Sequence, residues 1–128
     1  MPEMIDLATL DTAARCDEGA ELELRHPVTG APLGTFLTLA GVDSRAHRQA
    51  LAYLAEQRLK RRTMNPDDVR GEDVEVAARC TLAWRCVYLD GKGLPHSLEN
   101  ARALYARFPW IREQAVVFIA DRANYLRD

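Results

Sequence analysis

The sequence predicts an α+β fold: an N-terminal β-hairpin followed by a bundle of about four α-helices, in a single domain over residues 1–128. Three observations carry that expectation. Between residues 20 and 41 apolar and polar residues alternate around a turn rich in Gly and Pro. Beyond it, apolar residues recur at the three- and four-residue spacing of helices. A length of 128 residues suits one core rather than two.

In chain order, Asp11 or Thr12 can cap a short helix over Ala13 to Asp17, with Gly19 as its stop. In "ELELRHP", Leu22 and Leu24 alternate with Glu21, Glu23 and Arg25, so one face is apolar and the other charged. "TFLTLAG" follows, rich in strand-forming residues. Pro27, Gly30, Pro32 and Gly34 punctuate the turn between the two runs. A lone hairpin is marginal in water, so helices must cover its apolar face. Asp43 and Ser44 open the first of them, about 44–62, with Ala50, Leu51, Leu54 and Ala55 as its stripe and Leu59 near its end.

"TMNPDDVRGED" reads as a loop, because Asn65-Pro66 and Gly71 interrupt periodicity. A helix over about 72–90 follows, apolar on two stripes, Val74-Ala77-Thr81-Trp84-Tyr88 and Val76-Cys80-Ala83-Val87. Val87-Tyr88-Leu89 alone could end a strand, but its context favours helix. Gly91 and Gly93 stop that helix. Ser97 caps the next, about 97–107, with Asn100 standing where a full capping box has Glu or Gln. Pro109 suits the first turn of a last helix, about 109–126, whose inner face carries Ile111, Ala115, Phe118, Ile119, Arg122 and Leu126.

Charge and composition narrow the function. A net charge of -2 argues against nucleic acid as a partner, since a phosphate-binding face needs a surplus of Lys and Arg. The one dense basic run, Arg58, Lys60, Arg61 and Arg62, falls at an expected helix C-terminus, where cations complement the dipole. No stretch approaches the roughly 20 apolar residues of a membrane span, and Met-Pro-Glu-Met-Ile-Asp-Leu has neither the basic head nor the apolar core of a signal peptide. No membrane partner and a cytoplasmic location are therefore expected. Cys16, Cys80 and Cys86, an odd count at unhelpful spacings, read as reduced thiols.

The chain carries no P-loop, GxGxxG, GxSxG, HExxH or CxxC. His26, His47 and His96 stand in three separate contexts, none spaced to build a metal site. No catalytic, cofactor-binding or metal-ligating residue is assigned, no cofactor is expected, and the chain is read as non-enzymatic. What remains is aromatic surface, concentrated in the C-terminal half. Two roles stay open for it. The rings can pack that half together, or Trp84, Tyr88, Phe108 and Trp110 can anchor a partner, as aromatics often do.

The order of segments adds a resemblance. The "HPVTG" turn with "PLG", the Asp-Gly before "LPHSLENA", and "FPWIREQ" leading into a helix that ends in "DRANYL" together resemble the tail assembly chaperones of long-tailed bacteriophages and prophages. The likeness spans Glu21 to Leu126. The chain departs from the family at Pro95-His96-Ser97, often closer to Pro-Phe-Ser, and at Trp84-Arg85-Cys86, where small polar residues often follow the Trp. The resemblance implies a non-enzymatic protein that binds the tape-measure protein, keeps it soluble, and recruits tail-tube subunits during morphogenesis. It implies action in the bacterial host cytoplasm and absence from the finished virion. Self-association of copies along one client would multiply modest affinities. The alternative is a structural minor tail or head-tail connector protein retained in the particle.

Overall fold

The computed structural model describes residues 4–61 and 63–127. After a 3-10 turn at Leu7–Leu10, the chain forms α1 (Ala13–Glu18), β1 (Ala20–Arg25), β2 (Pro32–Leu39), α2 (Arg45–Lys60) and α3 (Pro66–Cys80). It continues through β3 (Thr81–Arg85), β4 (Tyr88–Leu89), β5 (Lys92–Gly93), α4 (Leu98–Arg107), α5 (Pro109–Ala120) and α6 (Ala123–Leu126). The fold is α+β with the expected N-terminal hairpin, but strands and helices interleave.

The hairpin forms where alternation placed it. His26 organises its turn: the ring Nδ1 accepts from the Val28 and Thr29 amides, while the His26 amide donates to Ala31. Gly19 makes the sharp join from α1 to β1. It has φ +87, and a Cβ there would stand 3.0–3.1 Å from Leu82, Thr38 and the Leu39 carbonyl, so only glycine fits.

β1, β2 and β3 form one antiparallel sheet in that order. Alternation sorts its faces. Leu22, Leu37 and Trp84 lie in one cross-strand row, while Glu23, Phe36 and Arg85 lie in the next, on the opposite face. On that second face Arg85 stacks over Phe36 at 3.8 Å and forks onto Glu21. The first face joins α3, α4 and α5 in the core, built on Leu24, Leu37, Leu39, Ala77, Leu104, Tyr105, Ile111 and Ile119.

Local chemistry explains most helix starts. Ser44 accepts from the His47 amide and Ser97 from the Asn100 amide. Asn100 closes no capping box; its side chain donates to the Pro95 carbonyl instead. Pro109 occupies the first position of α5, where its missing N–H costs nothing.

Four expectations need correction. The segment read as the loop "TMNPDDVRGED" holds the start of α3. Asn65 accepts from the Asp68 amide, Asp68 accepts from the Asn65 amide, and Pro66 sits at the first position, a complete capping box. Gly71 lies inside this helix. The helix expected over 72–90 ends at Cys80, after which Thr81–Arg85 completes the sheet against β2. Tyr88–Leu89 pairs with Lys92–Gly93 around Asp90-Gly91. The helix expected over 109–126 breaks after Ala120, where Asp121 accepts from the Ala123 amide and starts α6.

The fourth correction concerns α2. Ala50 and Leu54 are buried against α3, but Leu51 is 50% exposed and Leu59 88% exposed, so the helix carries an inner and an outer apolar line. The basic run at its end is also more than a dipole partner. Arg58 binds Glu72 at 2.6 and 2.9 Å and Arg61 reaches it at 3.5 Å; Arg62 lies outside the described residues.

Candidate functional site

The four aromatics proposed as anchors stand near one another in sequence but in different environments. Trp84 belongs to the inward row of β3, where its Nε1 donates to the Leu94 carbonyl at 2.7 Å. The His96 ring meets Trp84 edge-on, 5.0 Å between centroids. Phe108 and Trp110 form an edge-to-face pair at 6.2 Å, both half-buried against the core. Tyr88 alone of the four is turned out, 75% exposed.

The segment that carries Tyr88 is firmly held. Val87 is buried, and its carbonyl accepts from the Leu94 amide at 2.8 Å. Asp90 accepts from both terminal nitrogens of Arg107, at 2.9 and 3.1 Å, tying the hairpin to the end of α4. That ion pair holds the Asp90 carboxyl below its ordinary range. Cys86 and Asp90 adopt φ of 58 and 53, left-handed backbone that is strained for residues with a side chain. Beside Tyr88 lies a depression of about 270 Å³ lined by Trp84, Leu94 and His96 among others. Trp84 and Tyr88 thus both line one depression, while Phe108 and Trp110 pair with each other at the α4–α5 corner.

His96 ties the segment before α4 to the start of β3. Its Nε2 lies 3.0 Å from the Thr81 carbonyl, so the ring donates to an oxygen at the start of β3. The sequence signal for this was a histidine followed by a capping serine, which names no partner. His47 sits in the first turn of α2 with its pKa lowered by burial.

Several carboxylates form cross-links between elements. Glu75 accepts from Arg102 and Arg79, and both arginines hold its carboxyl below its usual range. Glu72 is likewise lowered by Arg58. Asp43 accepts two bonds from Arg122, at 2.7 and 2.9 Å, and one from Thr12, which together bring its pKa down to about 2. This cluster ties the start of α1, the loop before α2 and the α5–α6 break into one knot. Burial pushes the Cys80 thiol up to about 12 and raises Cys16 as well.

A second surface feature is an open groove of about 450 Å³ between β1 and α5, lined by Leu22, Arg25, Gln114, Val117, Phe118 and Asp121 among others. Gln114 lies along the free edge of β1, exchanging hydrogen bonds with the Arg25 amide at 2.9 Å and its carbonyl at 2.8 Å. A side-chain amide thereby stands in for a neighbouring strand and blunts the edge.

Among the described residues no group of three or more His, Cys, Asp or Glu is placed to hold a metal, and no helix is long and apolar enough to cross a membrane. In comparisons with family models, curated proteins and solved structures, no match to the chain was found.

Proposed function

We propose that this chain is a non-enzymatic protein-binding module, a tail assembly chaperone of a long-tailed phage or prophage that keeps the tape-measure protein soluble and brings tail-tube subunits to it. Two things support the reading. One is the ordered likeness from "HPVTG" to "DRANYL". The other, the observation that carries it, is Tyr88: an exposed ring presented by a strained hairpin that an ion pair and a buried valine hold still. An aromatic carried on backbone that is already ordered loses less conformational freedom on binding than one on a mobile loop, and exposed aromatics of this kind often dominate interfaces. A tape-measure helix exposes apolar faces that an aromatic anchor of this kind can cover. The protein acts in the host cytoplasm and leaves before the particle is complete.

Co-expression with a tape-measure protein tests this. The native chain should raise the soluble yield of that protein and co-purify with it, while Tyr88→Ala should keep its melting temperature and lose most of the complex. No effect of the native chain on solubility, together with no co-purification, would sink the proposal. A stoichiometric copy in purified virions would instead assign it to the particle.

A further inference from the structure

β1 is bonded to β2 on one side only, so its other side is a free strand edge of six residues. The far edge of the sheet is screened, because the His96 ring bonds the Thr81 carbonyl and Trp84 is held to the Leu94 carbonyl. Along the free edge of β1 runs the open groove of about 450 Å³, with Leu22 on its strand wall and Val117 and Phe118 on its helix wall. Gln114 shows what this edge binds. Its amide accepts from the Arg25 N–H at 2.9 Å and donates to the Arg25 carbonyl at 2.8 Å, the double exchange that one residue of an antiparallel strand makes. The helix wall has a pattern of its own. Glu113, Val117 and Asp121 follow at four-residue intervals, acid, apolar, acid, and all three line the groove. Four residues of helix rise about 6 Å, close to the roughly 6.7 Å between same-face residues of a strand. The charges on that wall are both acidic. On the strand wall Glu23 and Arg25 offset each other, and both are turned to the hairpin, where Glu23 accepts from the Gly34 amide and Arg25 donates to the Gly30 carbonyl.

We infer that this trough takes an extended, basic segment of a partner protein as a fourth strand of the sheet, antiparallel to β1, with a cation two residues to either side of a central apolar residue. The incoming backbone takes over the two Arg25 hydrogen bonds from Gln114, the apolar side chain enters between Leu22 and Val117, and the flanking cations reach Glu113 and Asp121. The free edge dictates an extended occupant, since a helix laid in the groove has its own N–H and C=O groups engaged and offers none to β1. Two copies joined edge to edge leave the acids of α5 without counter-charge, because β1 itself brings two glutamates for one arginine. Anionic lipid and nucleic acid are repelled by the same acids. The inference is independent of the Tyr88 corner and of the function proposed from it.

The probe is a labelled peptide, Thr-Lys-Thr-Val-Thr-Lys-Thr, set beside the same peptide with Glu for Lys and a third that keeps the lysines but is N-methylated along its backbone. Fluorescence anisotropy should show the basic peptide binding about tenfold or more tightly than the acidic one, with affinity falling as salt rises. The N-methylated peptide keeps the side chains but cannot donate to the edge, so it should bind about tenfold or more weakly than its parent. Val117→Lys should weaken the parent peptide about tenfold with the thermal melt unchanged, because that side chain is 70% exposed. Gln114→Ala removes the competing amide and should tighten binding, while Tyr88→Ala should leave it intact. Amide shifts on binding should cluster in β1 and α5. Equal affinity for the basic and acidic peptides, undiminished binding of the N-methylated one, no gain from Gln114→Ala, no binding, or shifts located elsewhere would overturn the inference. So would Val117-dependent self-association, or Val117-dependent binding to phosphatidylserine vesicles without peptide binding, since each names a different occupant.

Discussion

Thr81 and Tyr105 make a buried contact whose two halves are unequal, and that asymmetry can be measured. The Thr81 hydroxyl donates to the Ala77 carbonyl at 2.7 Å and lies 2.6 Å from the Tyr105 oxygen. A hydroxyl has one hydrogen, so with Thr81's engaged at Ala77 the phenol must be the donor. Tyr105 is fully buried. Tyr105→Phe leaves Thr81 bonded to Ala77 and removes one accepted bond, a cost of about 1 kcal/mol. Thr81→Val keeps shape and strand preference but leaves a buried phenol with nothing to donate to, which costs about 2–3 kcal/mol. Adding Tyr105→Phe to Thr81→Val removes that orphan donor. The double variant should therefore be more stable than Thr81→Val alone. Urea unfolding followed by circular dichroism reads this directly, since slopes of about 1–3 kcal/mol per molar turn such differences into clear midpoint shifts. Costs that simply add to within about 0.5 kcal/mol would refute the donor assignment.

Three further outcomes are expected. Gly71 sits inside α3 with open space where a Cβ would stand, so Gly71→Ala should stabilise by about 1 kcal/mol and raise the melting temperature by roughly 3–5 °C. The pair between Asp43 and Arg122 is fully present above the ordinary carboxylate pKa and is lost as pH falls from about 4 towards about 2, because folding lowers the Asp43 pKa to about 2. With Asp43 partly open to solvent, Asp43→Asn should cost about 1 kcal/mol at neutral pH, and the gap between its melting temperature and the native one should narrow as pH falls towards about 2. Of the three thiols Cys86 is exposed while Cys16 and Cys80 are buried, so a disulfide-exchange reagent should titrate one thiol quickly in the native protein and all three after denaturation. Fast reaction of more than one would show that the core opens more readily than its packing implies.

The hairpin, α2, α4 and the start of α5 were legible because their signals are local: alternation, a capping serine, a proline at the first turn. The stretch from Asn65 to Leu89 was not, for two separate reasons. Asn65-Pro66 carries opposite meanings, a turn signal and a cap followed by a first-turn proline, and Asp68 closing the box decides between them. Thr81 to Arg85 happens to continue the helical spacing of Val76 and Cys80, so periodicity alone favours helix. What makes it a strand is the unfilled side of β2, a partner far away in sequence. Of the candidate residues, the concentration of aromatics was visible, but their separation was not. Trp84 faces inward because of its register against Leu37, and Tyr88 faces outward because Cys86 and Asp90 take left-handed backbone. Register and backbone handedness of that kind leave no mark in composition.

The sheet order has a consequence for the nascent chain. β1 and β2 leave the ribosome as a hairpin, but the outer side of β2 stays unpaired until Thr81–Arg85 has also emerged and α3 has folded to deliver it. At roughly 5–20 residues per second that interval lasts a few seconds, during which an apolar strand edge can pair with a neighbouring chain. Pro32 and Gly34 sit at the start of β2 and poorly support such pairing there. The half nearest Leu37 and Leu39 has no such guard, so slower synthesis through residues 40–85 should lengthen the time that edge stays open to a neighbouring chain.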